Sequence, residues 1–254
     1  MCTWLTGTLQ GYDPTNGFVR YGSFAESFKK GLIHTKPGKI FMGVDHENVA
    51  PFGRDSVRIE SKKLFGHGLF ILELEHMPVG CGTWPAFWSY SDDGGWPNGG
   101  EIDIIEGVHN QEFNNMALHT GADCRISPVQ HPFVHGTTMY TNCHTDAPGQ
   151  PANVGCAVHD ERPQSYGQAF NEGGGGVYAM ERTSRHVSIW FFPRDEVPPD
   201  ALVGVPQPDT WGAPAARFTN ALCDLDKKMK PQKLIFNITF CGDWAGNVWE
   251  SSGW

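Results

Sequence analysis

The segment Gly100-Glu101-Ile102-Asp103-Ile104-Ile105-Glu106-Gly107 sets three carboxylates among isoleucines and bounds them with glycines. Isoleucine is β-branched and favours extended chain, so the segment reads as a strand. Successive side chains on a strand alternate between faces, which puts Glu101 and Asp103 together. Glu106, five positions after Glu101, falls on the opposite face of a regular strand. One extra residue between Asp103 and Glu106, a β-bulge, returns it to the first face and leaves the isoleucines for the core. Three acids on one face repel one another unless something uses them. A solvated, exposed strand accounts for such a pattern, and clustered carboxylates also suit a hard cation such as calcium.

A third use is suggested by the surrounding aromatics. Cys81-Gly82-Thr83-Trp84-Pro85-Ala86-Phe87-Trp88 and Trp96-Pro97-Asn98-Gly99 stand upstream, and Trp244 stands downstream. Flat apolar faces beside polar groups are what a groove for pyranose rings requires. A single tryptophan is more often core than platform; the set around an acidic cleft points to carbohydrate.

The elements that must carry these residues are strands. Gly and Pro, 31 and 18 of the 254 residues, make up about a fifth of the chain and work against a helical bundle. Candidate strands are Val57–Ser61, Gly68–Leu74, Ile102–Glu106, Met116–His119, His186–Phe192 and Lys233–Phe240. They are bounded by turn residues and not interleaved with amphipathic helices, which argues for an all-β sandwich or barrel and against a parallel βαβ sheet. Gly173–Gly176 reads as a loop ahead of a strand, and the Pro-rich stretch Pro193–Pro214 as a loop excursion within one domain. There is no internal repeat.

Composition removes several function classes. With 39% hydrophobic and only 19% charged residues the chain is not disordered. A net charge of −9 and no basic run beyond pairs such as Lys29-Lys30 and Lys227-Lys228 argue against nucleic acid. No stretch approaches the apolar length of a membrane span. The N-terminal residues lack a secretory signal pattern. Seven cysteines without a C-x-x-C pair nevertheless suit a disulfide framework in an oxidising compartment, so the chain is expected to begin downstream of its true start. The odd count leaves at least one cysteine unpaired within the chain. Cys124, His131, His135 and Cys143 lie close together, but in a Pro- and Thr-rich stretch without zinc-ligand spacing.

Taken with Gly82-Thr83-Trp84-Pro85-Ala86-Phe87-Trp88 and Asn98-Gly99-Gly100, the carboxylate box resembles the catalytic signature of glycoside hydrolase family 16, in its fungal laminarinase-type endo-1,3(4)-β-glucanase branch. Further matches are DPTNGFV at Asp13–Val19, SVRIESK at Ser56–Lys62, HGLFI at His67–Ile71, ALHTG at Ala117–Gly121, YAMERT at Tyr178–Thr183, WFFPR at Trp190–Arg194 and NITFCGDWAG at Asn237–Gly246.

The resemblance implies a jelly-roll β-sandwich with a concave, glucan-binding sheet and a retaining mechanism. Glu101 matches the nucleophile, Glu106 the general acid/base and Asp103 the acid between them. Retention needs the two carboxyls only about 5 to 5.5 Å apart, one ionised and one protonated, and neighbouring negative charge keeps one of them protonated. His119 matches a supporting position at the reacting sugar, and Arg58, Trp84, Trp88, Trp96 and Trp244 match positions lining the cleft. The implied protein is a secreted, monomeric endo-acting hydrolase of β-1,3 and mixed-linkage glucans that needs no cofactor or metal. The same carboxylates would serve a cell-wall glucan transglycosylase, and the same sandwich a non-catalytic glucan-binding protein. Residues 1–254 are expected to form one catalytic domain lacking the family's first and closing strands.

Overall fold

A computed structural model describes residues 13–127 and 134–253. The strands in chain order are β1 (Val19–Tyr21), β2 (Ile33–Lys36), β3 (Lys39–Met42), β4 (Arg54–Ser56), β5 (Arg58–Glu60), β6 (Gly68–Leu74), β7 (Thr83–Tyr90) and β8 (Glu101–Glu106). There follow β9 (Asn114–His119), β10 (Thr137–Tyr140), β11 (Cys156–Asp160), β12 (Gly176–Arg182), β13 (His186–Pro193), β14 (Ala216–Thr219) and β15 (Lys233–Phe240). A seven-stranded antiparallel sheet in the order β10-β11-β9-β8-β7-β15-β5 packs on a four-stranded sheet in the order β14-β13-β12-β6. Two-stranded pairs β1-β4 and β2-β3 complete the set. This is the all-β jelly-roll sandwich, and its helices are single short pieces such as Phe24–Lys29 and Gly167–Glu172.

Alternation builds the core between the sheets. Phe87 of β7, Ile102, Ile104 and Ile105 of β8, and Met116 and Leu118 of β9 meet Tyr178, Met180, Ile189 and Phe191 of β12 and β13 in one buried cluster. Burying a side chain of this size is worth about 1.5–3 kcal/mol, so the inward faces fix the strand register firmly. A second cluster lies on the far side of the smaller sheet. There Trp211, carried by the stretch Pro193–Pro214, stands edge-on to Trp190 and Phe192 at 5.6 Å. That excursion is therefore part of the same folded unit.

Expected and observed strands agree for Gly68–Leu74 and Lys233–Phe240 to the residue. The run Val57–Ser61 is shorter, because Val57 turns into a small cluster with Leu32, Ile33 and Ile59 and divides β4 from β5. Among the described residues two disulfides form, Cys124–Cys223 and Cys143–Cys156, so the two cysteines of the weighed zinc group belong to separate bridges. His131 of that group lies outside the described residues. Cys81 and Cys241 are free thiols.

Candidate active site

Across the outer face of the seven-stranded sheet, the strand register lines up rows of side chains. One row runs Lys233, Tyr90, Glu101, His119; the next runs Glu60, Ile235, Trp88, Asp103, Ala117; a third runs Arg58, Asn237, Ala86, Glu106. The third row exists because of an irregularity in β8. Trp88 pairs with Asp103, but Phe87 pairs with Ile105, leaving Ile104 as the extra residue. The bulge lies where the alternation of acids requires one, and it brings Glu106 onto the face of Glu101 and Asp103.

Each outer carboxyl has an indole donor. Trp96 Nε1–H donates to Glu101 Oε2 at 2.9 Å, and Trp84 Nε1–H donates to Glu106 Oε1 at 2.9 Å. His119 Nε2 lies 2.8 Å from Asp103 Oδ2 and 3.8 Å from Glu101 Oε1, so the histidine bridges the first two acids. Trp84 stands edge-on to Trp244 at 5.7 Å, and Trp96 is tilted over His119 at 6.3 Å. Trp96 is 46% exposed and presents an aromatic face to solvent beside Glu101. Trp88 stacks on Tyr90 at 5.3 Å and donates from Nε1 to Asn237 Oδ1 at 2.6 Å. Arg58 is buried, is hydrogen-bonded to Glu60, and lies 5.0 Å over the Trp88 ring. It thus supports Trp88 rather than reaching into the groove.

His119 is held from behind. Gly155, at φ +62°, approaches so closely that a Cβ there would meet Leu118 O at 2.3 Å and His119 Nδ1 at 3.0 Å. Only glycine fits this contact, and the neighbouring Cys143–Cys156 bridge fixes the segment.

All three acids are pushed up to about 8, in each case chiefly by burial. The charge of Asp103 adds to the rise at both glutamates, while His119 and the indole donors oppose it. Only Asp103, 2% exposed, is closed off from solvent; Glu101 and Glu106 keep a partly open side. The cluster therefore retains protons into the neutral range, and His119 and Trp96 favour the ionised form of Glu101. One carboxylate beside one carboxylic acid is the state that double displacement at an acetal carbon needs. Glu101, Asp103 and His119 also offer ligand atoms within 4.8 Å of one another, and are the described residues that could hold a metal ion.

Glu101, Asp103, Glu106 and His119 meet on this face with Trp84, Trp88, Trp96 and Trp244 around them, while Arg58 lies behind Trp88. Sequence reasoning missed Tyr90, Asn237 and Glu60, which complete the rows, and Asn115, whose side chain hydrogen-bonds Glu106. A polar residue in the middle of the apolar run Lys233–Phe240 was the available signal for Asn237.

Residues 8–254 match the family of XgeA-like, catalytic GH16 domains. A probable glycosidase of Schizosaccharomyces pombe is 47% identical over 242 residues, covering 95% of this chain and 57% of its own length. An endo-1,3(4)-beta-glucanase of Arthroderma benhamiae is 45% identical over 240 residues, covering 93% and 52%. The chain thus spans about half the length of these relatives. Among solved structures, laminarinase 16A from Phanerochaete chrysosporium, holding 6-O-glucosyl-laminaritriose in donor and acceptor sites, superposes with a TM-score of 0.90 at 41% identity, over 97% of this chain and 84% of the other. An elongating GH family 16 beta-1,3-glucosyltransferase gives a TM-score of 0.89 at 45% identity, over 96% and 81%.

Proposed function

The chain belongs to the XgeA-like catalytic domains of glycoside hydrolase family 16, and on that premise we propose that it is an endo-acting, retaining hydrolase of β-1,3-glucans, including mixed β-1,3/1,4 and β-1,3/1,6 chains. The observation that carries this is the Ile104 bulge, which gathers Glu101, Asp103 and Glu106 on one aromatic-walled face.

Glu101 attacks the anomeric carbon as carboxylate while Glu106 protonates the departing glycosidic oxygen, giving a glycosyl-enzyme and a shortened glucan. Glu106, now ionised, takes a proton from water, which attacks the same carbon, releases Glu101 and restores the β-configuration. Asp103 and His119 hold the first carboxylate in position, and the exposed face of Trp96, with Trp244, Trp84 and Trp88, provides sugar platforms. No step calls for a cofactor or metal. The chain acts as one catalytic domain, a monomer, outside the cell, where its two disulfides persist.

A second reading is transfer of the glycosyl group to another sugar chain instead of water. It is favoured by the 45% identity to the elongating glucosyltransferase. Product analysis on defined laminari-oligosaccharides, with and without excess acceptor, separates hydrolysis, transfer and simple binding.

The carboxylate roles are tested by azide rescue. Glu106→Ala with an activated aryl glycoside should accumulate the glycosyl-enzyme and yield a β-glycosyl azide, because azide attacks without base assistance. Glu101→Ala, if rescued, should yield the α-azide by direct displacement. The reverse stereochemistry in either variant would exchange the two roles.

A further inference from the structure

His109 is a buried, titratable side chain that takes no part in the groove chemistry. It follows β8 in the segment Gly107-Val108-His109-Asn110, adopts φ +56° and is 3% exposed. A non-glycine residue in left-handed backbone costs energy and persists where surrounding interactions hold it. Those interactions are four hydrogen bonds. The backbone N–H of His109 donates to Thr83 O at 2.9 Å, and its carbonyl accepts from Gly80 N–H at 3.3 Å. Its ring Nδ1 accepts from Gly82 N–H at 2.9 Å, and its Nε2 lies 2.8 Å from Ala245 O.

The partners fix the tautomer. A backbone N–H can only donate and a carbonyl can only accept, so Nδ1 carries the lone pair and Nε2 carries the hydrogen. The ring is thus a two-ended clamp. One end grips the residue preceding β7, two positions before Trp84. The other grips the π-helical turn Gly242–Gly246 at the carbonyl next to Trp244. Trp249 packs edge-on against the imidazole at 5.6 Å and closes the clamp.

We propose that His109 is a positioning residue for the acid/base: by tying Gly82 to Ala245 it sets the Trp84–Trp244 pair, and through Trp84 it aims the indole N–H at Glu106. The chain of contacts is continuous. His109 holds Ala245, Trp244 meets Trp84 at 5.7 Å, and Trp84 Nε1–H reaches Glu106 Oε1. No charged group enters it before the Glu106 carboxyl, so the coupling is geometric. The last link rests on the reading of Glu106 as acid/base; the first two do not.

The test uses the whole chain with His109→Leu, which removes both ring bonds, and His109→Gln, whose amide can accept at one end and donate at the other. The Trp84–Trp244 exciton signal is the part of the far-ultraviolet circular dichroism that Trp244→Phe removes. We expect His109→Leu to lose that signal and His109→Gln to keep most of it. On β-1,3-glucan, His109→Leu should also move the high-pH limb of kcat/KM upward, since a misplaced Trp84 no longer favours the ionised form of Glu106. An exciton signal unchanged in His109→Leu, or lost equally in His109→Gln, would overturn the proposal. If His109→Leu does not fold, ¹⁵N chemical shifts of the imidazole in the unaltered chain decide: the Nε2–H tautomer supports the clamp and the Nδ1–H tautomer refutes it. Loss of the signal with no change in the limb, in a chain that turns over glucan, would refute the coupling to Glu106. A chain inactive on glucan but with the signal behaving as expected would instead place the fault in the catalytic reading.

Discussion

Replacing Trp84 by Phe isolates one hydrogen bond and leaves the rest of the wall standing. The ring that meets Trp244 edge-on is largely kept, whereas the N–H lying 2.9 Å from Glu106 Oε1 is removed. A hydrogen bond to a charged partner is worth about 1.5–3 kcal/mol. Glu106 keeps a partly open side, so the lower end applies, and about 1.4 kcal/mol corresponds to one pH unit. The carboxyl is already pushed up to about 8, first by burial and then by the charge of Asp103, and the indole opposes both. Without that opposition its pKa rises further, by about one unit. In the proposed mechanism glycosylation requires Glu106 protonated, so the high-pH limb of kcat/KM on laminarin should move upward by the same amount, while the low-pH limb, assigned there to ionisation of Glu101, stays near its place. Reducing-end release measured between weakly acidic and alkaline pH reads both limbs. A high-pH limb that stays fixed or moves downward would show that the indole does not stabilise the ionised form of Glu106.

Two further outcomes concern stability. Asp103 is pushed from 3.8 to about 8 by burial, so between those values the folded chain keeps a proton that the unfolded chain has released. Rising pH through that window therefore favours unfolding, by at most about 1.4 kcal/mol per pH unit for this group. Asp103→Asn removes the dependence, and denaturant titrations at the two ends of the window should show the variant gaining on the parent as pH rises; a constant difference would refute the burial argument. For the disulfides, the Cys124–Cys223 bridge closes a separation of 99 residues and Cys143–Cys156 one of 13. Replacing each pair by serine should cost about 4.5 and about 3 kcal/mol respectively. The smaller loss also loosens the segment behind His119, so kcat should fall more in that variant; equal kcat values would separate the bridge from the site.

The all-β class and the acidic box are legible in the sequence because both are written locally, whereas the jelly roll comes only from the family resemblance. Short β-branched runs between turn residues give the strands, and the alternation from Glu101 to Glu106 demands a bulge before any coordinates are known. Which residue is extra is not legible, since Ile104 and Ile105 are equally apolar and both are buried. Tyr90, Asn237 and Glu60 escape notice for a different reason. They meet through β7, β15 and β5, far apart in sequence, and cross-strand neighbours carry no local mark. Disulfide pairing among seven cysteines has too many solutions to read from spacing. His109 is hidden more deeply still, because both of its ring partners are backbone groups, Gly82 N–H and Ala245 O, which look alike in any sequence.

The bulge at Ile104 makes the working face of β8 a matter of counting. Substituting another apolar side chain there alters packing by small steps, and the strand keeps its phase. Deleting one codon between Asp103 and Glu106 removes only the extra residue: the strand then alternates regularly, and the glutamate, four positions after Glu101, still shares its face. Adding one residue acts as a frameshift in space: Glu106 turns inward, and a carboxyl is delivered to a core lined by Met116, Leu118 and Phe191. Adding two restores the facing but carries Glu106 about 7 Å further along the strand, beyond the reach of a shared anomeric carbon. Between Asp103 and Glu106 the strand therefore tolerates changes of spelling and the loss of its one extra residue but not the gain of another, and a lineage that gained one would exchange a catalyst for a binding surface in a single step.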